Sequence, residues 1–291
     1  MQFRWTGVLL LALLLPASTF AQDESVSFRS TALAPGLFML HGEGGFAGGN
    51  LGLLTGDDGV ILIDDGLEPL AETMLAAVQD TAGAPVDFVI NTHVHGDHIG
   101  GNAALHRHGA RIVAHDNIRH RMTGSGAAAD SLPELTFSDQ MTFHLNDHRA
   151  EVIHVRSAHT DGDSIIHFPD ANVIHTGDAM FNGLFPFIDL DSGGSVDGFI
   201  AAQTSIIELA DDDTQIIPGH GQLASRDDLI AARDMLADAK ARVGKLIDDG
   251  LSLEAVVAAN PLAGYHDAWN WDFITTERMT ETLYRDLKAS Q

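Results

Sequence analysis

Three histidines and an aspartate lie within six residues of the stretch 91–102, which reads NTHVHGDHIGGN. His93 and His95 are two positions apart, so their side chains can point the same way, whereas the adjacent Asp97 and His98 must diverge. Imidazole and carboxylate ligands without sulfur suit zinc, and they also suit iron or manganese. The spacing therefore indicates a metal site, in which one pair serves one ion and the other pair a second ion nearby.

Three further side chains of metal-ligand type follow predicted strands elsewhere in the chain. His159 comes after AEVIHVRSA, Asp178 ends NVIHTGD and His220 ends TQIIPGHG. Residues 87–92 likewise supply a strand just before the first cluster. Because ligands of layered α/β proteins bind at the carboxyl edge of the sheet, this recurrence predicts one site assembled along that edge.

The elements that must position this site alternate between strands and helices. Residues 60–63 form a continuous apolar run, typical of a strand covered on both faces. Ser195 is predicted as the N-cap of a helix that runs through Leu209. This pattern predicts one layered α/β domain over residues 22–291. Further helices are expected at 66–83, 226–248, 253–259 and 275–288, and turns or loops at 48–49, 58–59, 124–135 and 169–172.

The first 21 residues have the layout of a secretory signal peptide. Arg4 precedes an apolar run from Val8 to Leu15, and Pro16 and small residues follow up to Ala21. The run is too short to span a bilayer comfortably. We therefore expect export to the periplasm or the medium and no stable membrane association after cleavage. An uncleaved anchor is the alternative.

The composition limits the classes of partner and the kinds of nucleophile that the chain can use. The chain has 41 acidic and 16 basic residues, a formal net charge of -25, which disfavours nucleic acid as a partner and leaves a small-molecule substrate. The absence of cysteine excludes disulfides, thiolate nucleophiles and sulfur-ligated zinc. No GxSxG turn is present to supply a serine nucleophile. The sequence does not indicate an oligomeric state.

Four motifs taken together, THVHGDH, HTDGD, HTGD and PGHG, resemble the metallo-β-lactamase superfamily. The resemblance runs from about residue 36 to residue 220 and implies a four-layer αββα sandwich with two zinc ions at one edge. Asp64, in ILIDDG, matches an early strand-end aspartate of that family and is implied to support the ligands. The implied ligands are His93, His95 and His159 for the first ion and Asp97, His98 and His220 for the second, with Asp178 bridging both.

The resemblance also implies a hydrolase. Water activated between the two zinc ions would attack a carbonyl carbon, and Asp97 would orient this nucleophile. Predicted export favours a β-lactam or a related cyclic amide as the substrate. However, lactamases with a cysteine in place of Asp178 carry a lysine three residues later, where this chain has Phe181.

Several alternatives to a lactamase remain. A lactone or ester fits the apolar stretch AMFNGLFPFIDLD, and a glyoxalase II-like thioester fits the ligand set, although the C-terminal region offers few basic residues to hold glutathione. A mononuclear iron sulfur dioxygenase is a minor alternative, and a periplasmic zinc-binding protein is the non-enzyme alternative. The pocket is predicted to contain Phe181, Phe185 and Asn182, the last as a donor to an oxyanion, with Met180, Leu184 and Phe187 beside them.

Overall fold

A computed structural model of the protein describes residues 26–289. The predicted signal peptide at 1–21 lies outside this range. No helix in the described range is both long enough and apolar enough to cross a membrane.

The first β-sheet contains seven strands that lie side by side in chain order. The pairs from β1 to β4 are antiparallel, and those from β4 to β7 are parallel. The strands are β1 Ser27–Ala34, β2 Leu37–Glu43, β3 Leu51–Leu54, β4 Ile61–Ile63, β5 Phe88–Ile90, β6 Arg111–His115 and β7 Leu135–Phe137.

The second β-sheet has five strands in the order β12-β11-β10-β9-β8. β11 and β12 are parallel, and the other neighbours are antiparallel. The strands are β8 Gln140–Leu145, β9 His148–His154, β10 Ser164–Phe168, β11 Val173–Phe181 and β12 Gln215–His220.

Helices cover the outer faces of both sheets. Helices α1, α3 and α4 lie against the first sheet, whereas α5 and α6 pack on the second, with α9 on α6. The α-helices are α1 Ala71–Ala82, α2 Gly96–Ile99, α3 Asn102–Arg107, α4 Asp116–Gly124, α5 Val196–Leu209, α6 Arg226–Asp248, α7 Leu253–Ala259, α8 His266–Trp269 and α9 Thr276–Ala289.

Three apolar layers separate these four layers of secondary structure. Ile63 and Val113 of the first sheet meet Ile166 of the second in a core between the sheets. A second core lies between the first sheet and its helices, and a third lies between the second sheet and its helices. The predicted αββα sandwich is therefore confirmed.

Local sequence signals placed several elements correctly. The Ser195 hydroxyl accepts a hydrogen bond from the Gly198 N–H and begins α5 as predicted. Helix α1 ends at Gly83, whose left-handed φ of 68° suits glycine. The hairpin of β10 and β11 turns over residues 169–172 as predicted.

Two local expectations were wrong, and one helix was not predicted. Strand β9 ends at His154, so four residues separate it from His159. Asp178 lies inside β11 rather than at its end, because the strand continues to Phe181. Helix α4 was not predicted, since it buries only Ile118 and Met122 and has little apolar periodicity.

Candidate metal centre

The structure brings all seven predicted ligands to one edge of the sandwich. Their ligand atoms fall into two main groups, and within each group the atoms lie within 4.8 Å of one another. The first group is His93, His95, His159 and Asp178, and the second is Asp97, His98 and His220.

A short turn after β5 supplies four of these side chains. His95 precedes the single turn of α2, and its carbonyl accepts hydrogen bonds from His98 N and Ile99 N at 2.9 and 3.2 Å. This turn carries Asp97 and His98 away from the preceding histidines. Gly100 fits tightly behind it, because a Cβ there would lie 2.3 Å from Glu68 N. The glycine thus lets the turn approach the loop that follows β4.

His159 is held by a compact loop in place of a strand end. The Asp163 carboxylate accepts hydrogen bonds from His159 N at 2.6 Å and from Thr160 N at 2.8 Å, and it also accepts from the Thr160 hydroxyl. Burial raises the pKa of Asp163 to about 8, against the opposing effect of these donors. The HTDGD motif therefore encodes both a ligand and the carboxylate that shapes its loop.

Asp178 stands between the two groups. Its Oδ2 lies 3.4 Å from His159 Nε2 and 3.7 Å from His93 Nε2. Its Oδ1 lies 3.2 Å from His98 Nε2, and its Oδ2 is also 3.5 Å from His220 Nε2. This placement is the one required of a bridging ligand.

The other contacts complete each group. In the first, His159 Nε2 lies 2.7 Å from His95 Nδ1. In the second, Asp97 Oδ2 lies 3.4 Å from His220 Nε2 and 3.5 Å from His98 Nε2. Each group therefore directs both nitrogen and oxygen atoms at a common point.

Two of the ligand atoms are buried without a hydrogen-bond partner, as expected of atoms that bind metal ions. Within the described residues, His93 Nε2 and Asp178 Oδ1 are buried without a hydrogen-bond partner. Such buried polar atoms are costly unless something compensates them. The nitrogen and oxygen donor set, without sulfur, is one that zinc accepts. The residues thus fit a pair of metal ions in the arrangement that the motifs imply.

Groups behind the ligands fix the orientation of the rings. The Asp64 carboxylate accepts hydrogen bonds from Thr92 N, from the Thr92 hydroxyl and from His98 Nδ1, each at 2.7 Å. His95 Nε2 donates to Asp189 Oδ2 at 2.9 Å, and His159 Nδ1 donates to the Phe187 carbonyl at 2.7 Å. Sequence reasoning anticipated Asp64 but missed Asp189, which belongs to none of the four motifs.

The charges of the site favour cations. Burial would raise the pKa of Asp178, but His98, His220 and the other histidines hold it well below its ordinary value. Burial would lower the pKa of His220, but Asp178 and Asp97 raise it to about 9. Burial lowers the pKa of His159 to about 4. The Asp178 carboxylate therefore stays ionised and stabilises positive charge at this point, carried by protons or by metal ions.

A cavity of about 870 Å³ opens directly onto the centre. The predicted pocket residues Phe181 and Phe187 line it. The prediction was wrong for Phe185, which is fully buried in the core, and for Asn182, whose amide donates to the Gln222 carbonyl. Met180 and Leu184 also belong to the core. The lining residues are Phe46, Leu67, Glu68, Pro69, His95, Gly96, Asp97, Asp178, Phe181, Phe187, His220, Trp271, Asp272 and Phe273.

The far wall of the cavity comes from the C-terminal part of the chain, which the sequence analysis considered only as a place to hold glutathione and not as an aromatic wall. Trp271 Nε1 donates to the Phe185 carbonyl at 2.9 Å, and Phe185 N donates to the Trp269 carbonyl at 2.7 Å. Phe273 packs against Phe187, with ring centroids 5.3 Å apart. These contacts hold the segment before α9 over the loop that follows β11.

The fold and the centre together define a metal-binding hydrolase of the αββα class. The chain belongs to the metallo-beta-lactamase superfamily, whose family model matches residues 44–238. That range contains all seven predicted ligands and most of both sheets.

The individual relatives that match share only a low sequence identity with this chain. A hydroxyacylglutathione hydrolase of Polaromonas sp. is 25% identical over 65% of this chain and 70% of its own length, and one of Brucella anthropi is 27% identical over 75% and 83%. Three further hydroxyacylglutathione hydrolases match over only 37%, 36% and 42% of their lengths. Among solved structures, the metallo-beta-lactamase FIM-1 from Pseudomonas aeruginosa, in its mono-zinc form, has a TM-score of 0.62 and 21% identity over 75% of this chain and 99% of its own.

Proposed function

We propose that the protein is an exported hydrolase with two zinc ions that cleaves the acyl bond of thioesters and esters whose remaining parts are uncharged and apolar. The cavity carries this proposal. It exposes Asp97, Asp178 and His220 at one end, and aromatic side chains dominate the rest of its wall. Within residues 26–289, its lining contains no lysine or arginine, and its other charged groups, Glu68 and Asp272, are acidic.

The ligand geometry supports the following metal-binding roles. His93, His95 and His159 would hold the first ion, the second group would hold the other, and Asp178 would lie between them. Two zinc ions held in this way would supply a nucleophilic water at neutral pH and would polarise an acyl carbonyl.

The protein's own groups bind the substrate and orient the reactants. The Asp97 carboxylate lines the cavity and is 21% exposed, so it can accept a hydrogen bond from the attacking water and fix its orientation. The aromatic wall of Phe181, Phe187 and Trp271 excludes bulk water from the acyl group and strengthens the electrostatic interactions at the centre. An apolar acyl chain would gain about 25 cal/mol for each Å² that it buries against this wall.

The charge of the wall favours uncharged substrates over anionic ones. β-Lactam antibiotics and glutathione conjugates carry carboxylates, which the acidic groups Glu68 and Asp272 would repel, and outside the metal centre no lysine or arginine of the described residues lines the cavity to pair with them. The relatives named hydroxyacylglutathione hydrolase support acyl–sulfur cleavage as the reaction type. A β-lactam, the substrate that predicted export favours, is therefore the second candidate.

A substrate panel tests this proposal. Metal-loaded protein would be assayed with S-phenyl thioacetate, p-nitrophenyl butyrate, an acyl-homoserine lactone, a chromogenic cephalosporin and a glutathione thioester. We expect kcat/KM for the neutral thioester or ester to exceed that for the carboxylate-bearing compounds by at least about tenfold. Faster turnover of the cephalosporin would favour the lactamase. Stoichiometric zinc binding without hydrolysis of any compound would favour the zinc-binding protein.

Ligand variants test the mechanism. Loss of a group that only supports a metal ligand typically costs about 10–100-fold, so removal of a ligand itself should cost at least about 100-fold. We therefore expect Asp97→Ala and His95→Ala to lower metal content and turnover together. His108→Ala, on an exposed position after α3, is the control and should change neither. Full activity in either ligand variant would contradict the mechanism.

A further inference from the structure

A glycine-rich segment crosses the centre between β2 and β3. Residues 48–50, here called the 48–50 segment, read Gly-Gly-Asn and contact both loops that carry ligands of the second metal. Asn50 is only 3% exposed. The sequence accounts for the two glycines as a hairpin turn, and nothing in it assigns a role to the asparagine.

Asn50 binds the backbone on both sides of His220. Its Nδ2 donates to the Pro218 carbonyl at 2.8 Å and to the Gly221 carbonyl at 2.9 Å, and its backbone N–H donates to the Gly219 carbonyl at 2.8 Å. These three bonds hold the end of β12 on either side of the ligand. Any displacement of Asn50 would therefore displace His220.

The glycines of the same segment contact the other two ligands of the second group. Gly49 N donates to the Asp97 carbonyl at 3.1 Å. A Cβ on Gly49 would lie 2.1 Å from His98 Cε1, so only glycine fits against that ring. Gly48, with a φ of 101°, also packs on the Asp97 backbone. The 48–50 segment thus touches Asp97 and His98 directly and holds the residues on both sides of His220.

Two histidines outside the ligand set fix Asn50 in turn. His41 Nδ1 donates to Asn50 Oδ1 at 2.7 Å. His175 Nε2 donates to the Asn50 carbonyl at 3.2 Å, while its Nδ1 accepts from Gly177 N at 3.1 Å, next to Asp178. The side-chain amide of Asn50 is thereby fully bonded and has one orientation.

We propose that Asn50 is a positioning residue that sets the place of His220 relative to Asp97 and His98, and thereby determines the affinity of the second metal. This inference rests on the proposed function in taking these three side chains as ligands of one ion. Within the described residues, no hydrogen bond of the 48–50 segment reaches any member of the first group, that is, His93, His95, His159 or Asp178. The first metal should therefore be bound independently of Asn50.

Zinc titration of the metal-free full chain tests the inference. Competition with a chromophoric chelator gives both stepwise affinities, and circular dichroism verifies the fold before metal is added. Groups that orient metal ligands typically contribute about 10–100-fold to affinity. We expect Asn50→Ala and Asn50→Asp to weaken the second zinc by that factor and to leave the first unchanged. In Asn50→Asp a carboxylate oxygen would replace the amide nitrogen. It would face the Pro218 and Gly221 carbonyls, which are also acceptors, so both hydrogen bonds would be lost.

A second variant and a matched control separate positioning from general stability. His41→Ala removes the partner of Asn50 Oδ1, and with it the 3.3 Å contact of His41 Nε2 with Gln222 Nε2, from a partly exposed position. It should weaken the second zinc in the same direction by a smaller factor. Thr214→Val is the control, because Thr214 is 3% exposed and hydrogen-bonds at the opposite end of β12. It should lower the melting temperature without changing either zinc affinity. Cobalt(II) absorption would report the geometry of the second site directly.

The zinc titration distinguishes failure of the proposed function from failure of the inference about Asn50. Wild-type protein that binds a single zinc would contradict the proposed function and remove the basis of the inference. Two zinc ions in the wild type, with unchanged second affinity in a folded Asn50 variant or in His41→Ala, would overturn the inference alone. Equal weakening by Thr214→Val would also overturn it, since the effect would then reflect the stability of β12 in general.

Discussion

At the scale of single residues, the centre depends on partners that hold each ligand ring. His98 faces Asp64, His159 faces the Phe187 carbonyl, and His95 faces Asp189. Each bond occupies the ring nitrogen that points away from the cluster, so it fixes the tautomer and leaves the other nitrogen free to bind metal. Hydrogen bonds with His95 and Ser192 hold the pKa of Asp189 well below the ordinary range. Its carboxylate is therefore ionised when it accepts the hydrogen bond from His95.

The Asp189 contact predicts that Asp189→Asn weakens the first metal. The amide cannot stabilise the His95 ring as the carboxylate does, so we expect affinity for the first zinc to fall by about 10–100-fold, with turnover falling in parallel. Chelator competition and an activity assay would measure both. The control is Asp191→Asn on the same 3₁₀ turn, since the Asp191 side chain is 85% exposed and pairs with Arg285. An unchanged first affinity in Asp189→Asn would assign the bond a purely structural role.

Sequence patterns identify ligands better than they identify these partners. The seven ligands are predictable because four of them form a dense cluster after one apolar strand, and His159, Asp178 and His220 each stand near the end of another. Asn50 and Asp189 are not, because their partners lie 168 and 94 positions away in the chain. Only the pairing of the two sheets brings such residues together, and no local spacing encodes that pairing.

At the scale of elements, the parallel pair β11 and β12 delivers Asp178 and His220 side by side. The register of this pair is irregular around Gly177, whose φ is 49°. The irregularity turns Asp178 towards the centre, although the strand continues beyond it. Sequence periodicity finds the apolar run of a buried strand but not an irregularity within it, which explains why Asp178 seemed to end the strand.

The close approach of these strands predicts that Gly219→Ala damages the site. A Cβ at that position would lie 1.9 Å from Asp178 Oδ1 and 2.8 Å from the Gly177 carbonyl, so the carboxylate must move. We expect at least about a tenfold loss of turnover and a loss of about 1–3 kcal/mol in the free energy of unfolding. Steady-state kinetics and urea denaturation would measure these effects.

The matched control for this substitution is Gly244→Ala in the interior of α6. The nearest atom to a Cβ there is Leu287 Cδ1 at 3.7 Å, which is ordinary contact. Alanine is the better helix former, so this variant should gain about 0.5–1 kcal/mol and keep full activity. Wild-type turnover in Gly219→Ala would mean that Asp178 has room to move without loss of function.

At the scale of the whole molecule, charge is the dominant feature. With 41 acidic and 16 basic residues, the folded chain concentrates negative charge that the unfolded chain would spread over a larger volume. The sandwich tolerates this because its three apolar layers supply the stability. The same excess of negative charge would draw metal cations to the centre and repel anionic substrates, in agreement with the acidic wall of the cavity.

This repulsion predicts that salt stabilises the protein. Raising the ionic strength from about 0.01 M to about 0.15 M shortens the screening length from about 30 Å to about 8 Å, which weakens repulsion between distant carboxylates. A gain of about 1 kcal/mol would raise the melting temperature by about 2–4 °C in a domain of this order of size. Calorimetry would measure the melting temperature in NaCl and in KCl, with excess zinc and again without metal. Both salts should raise the melting temperature, and by equal amounts. A flat or falling melting temperature would show that the acidic groups are already far enough apart, or well enough paired, that their repulsion costs the fold little.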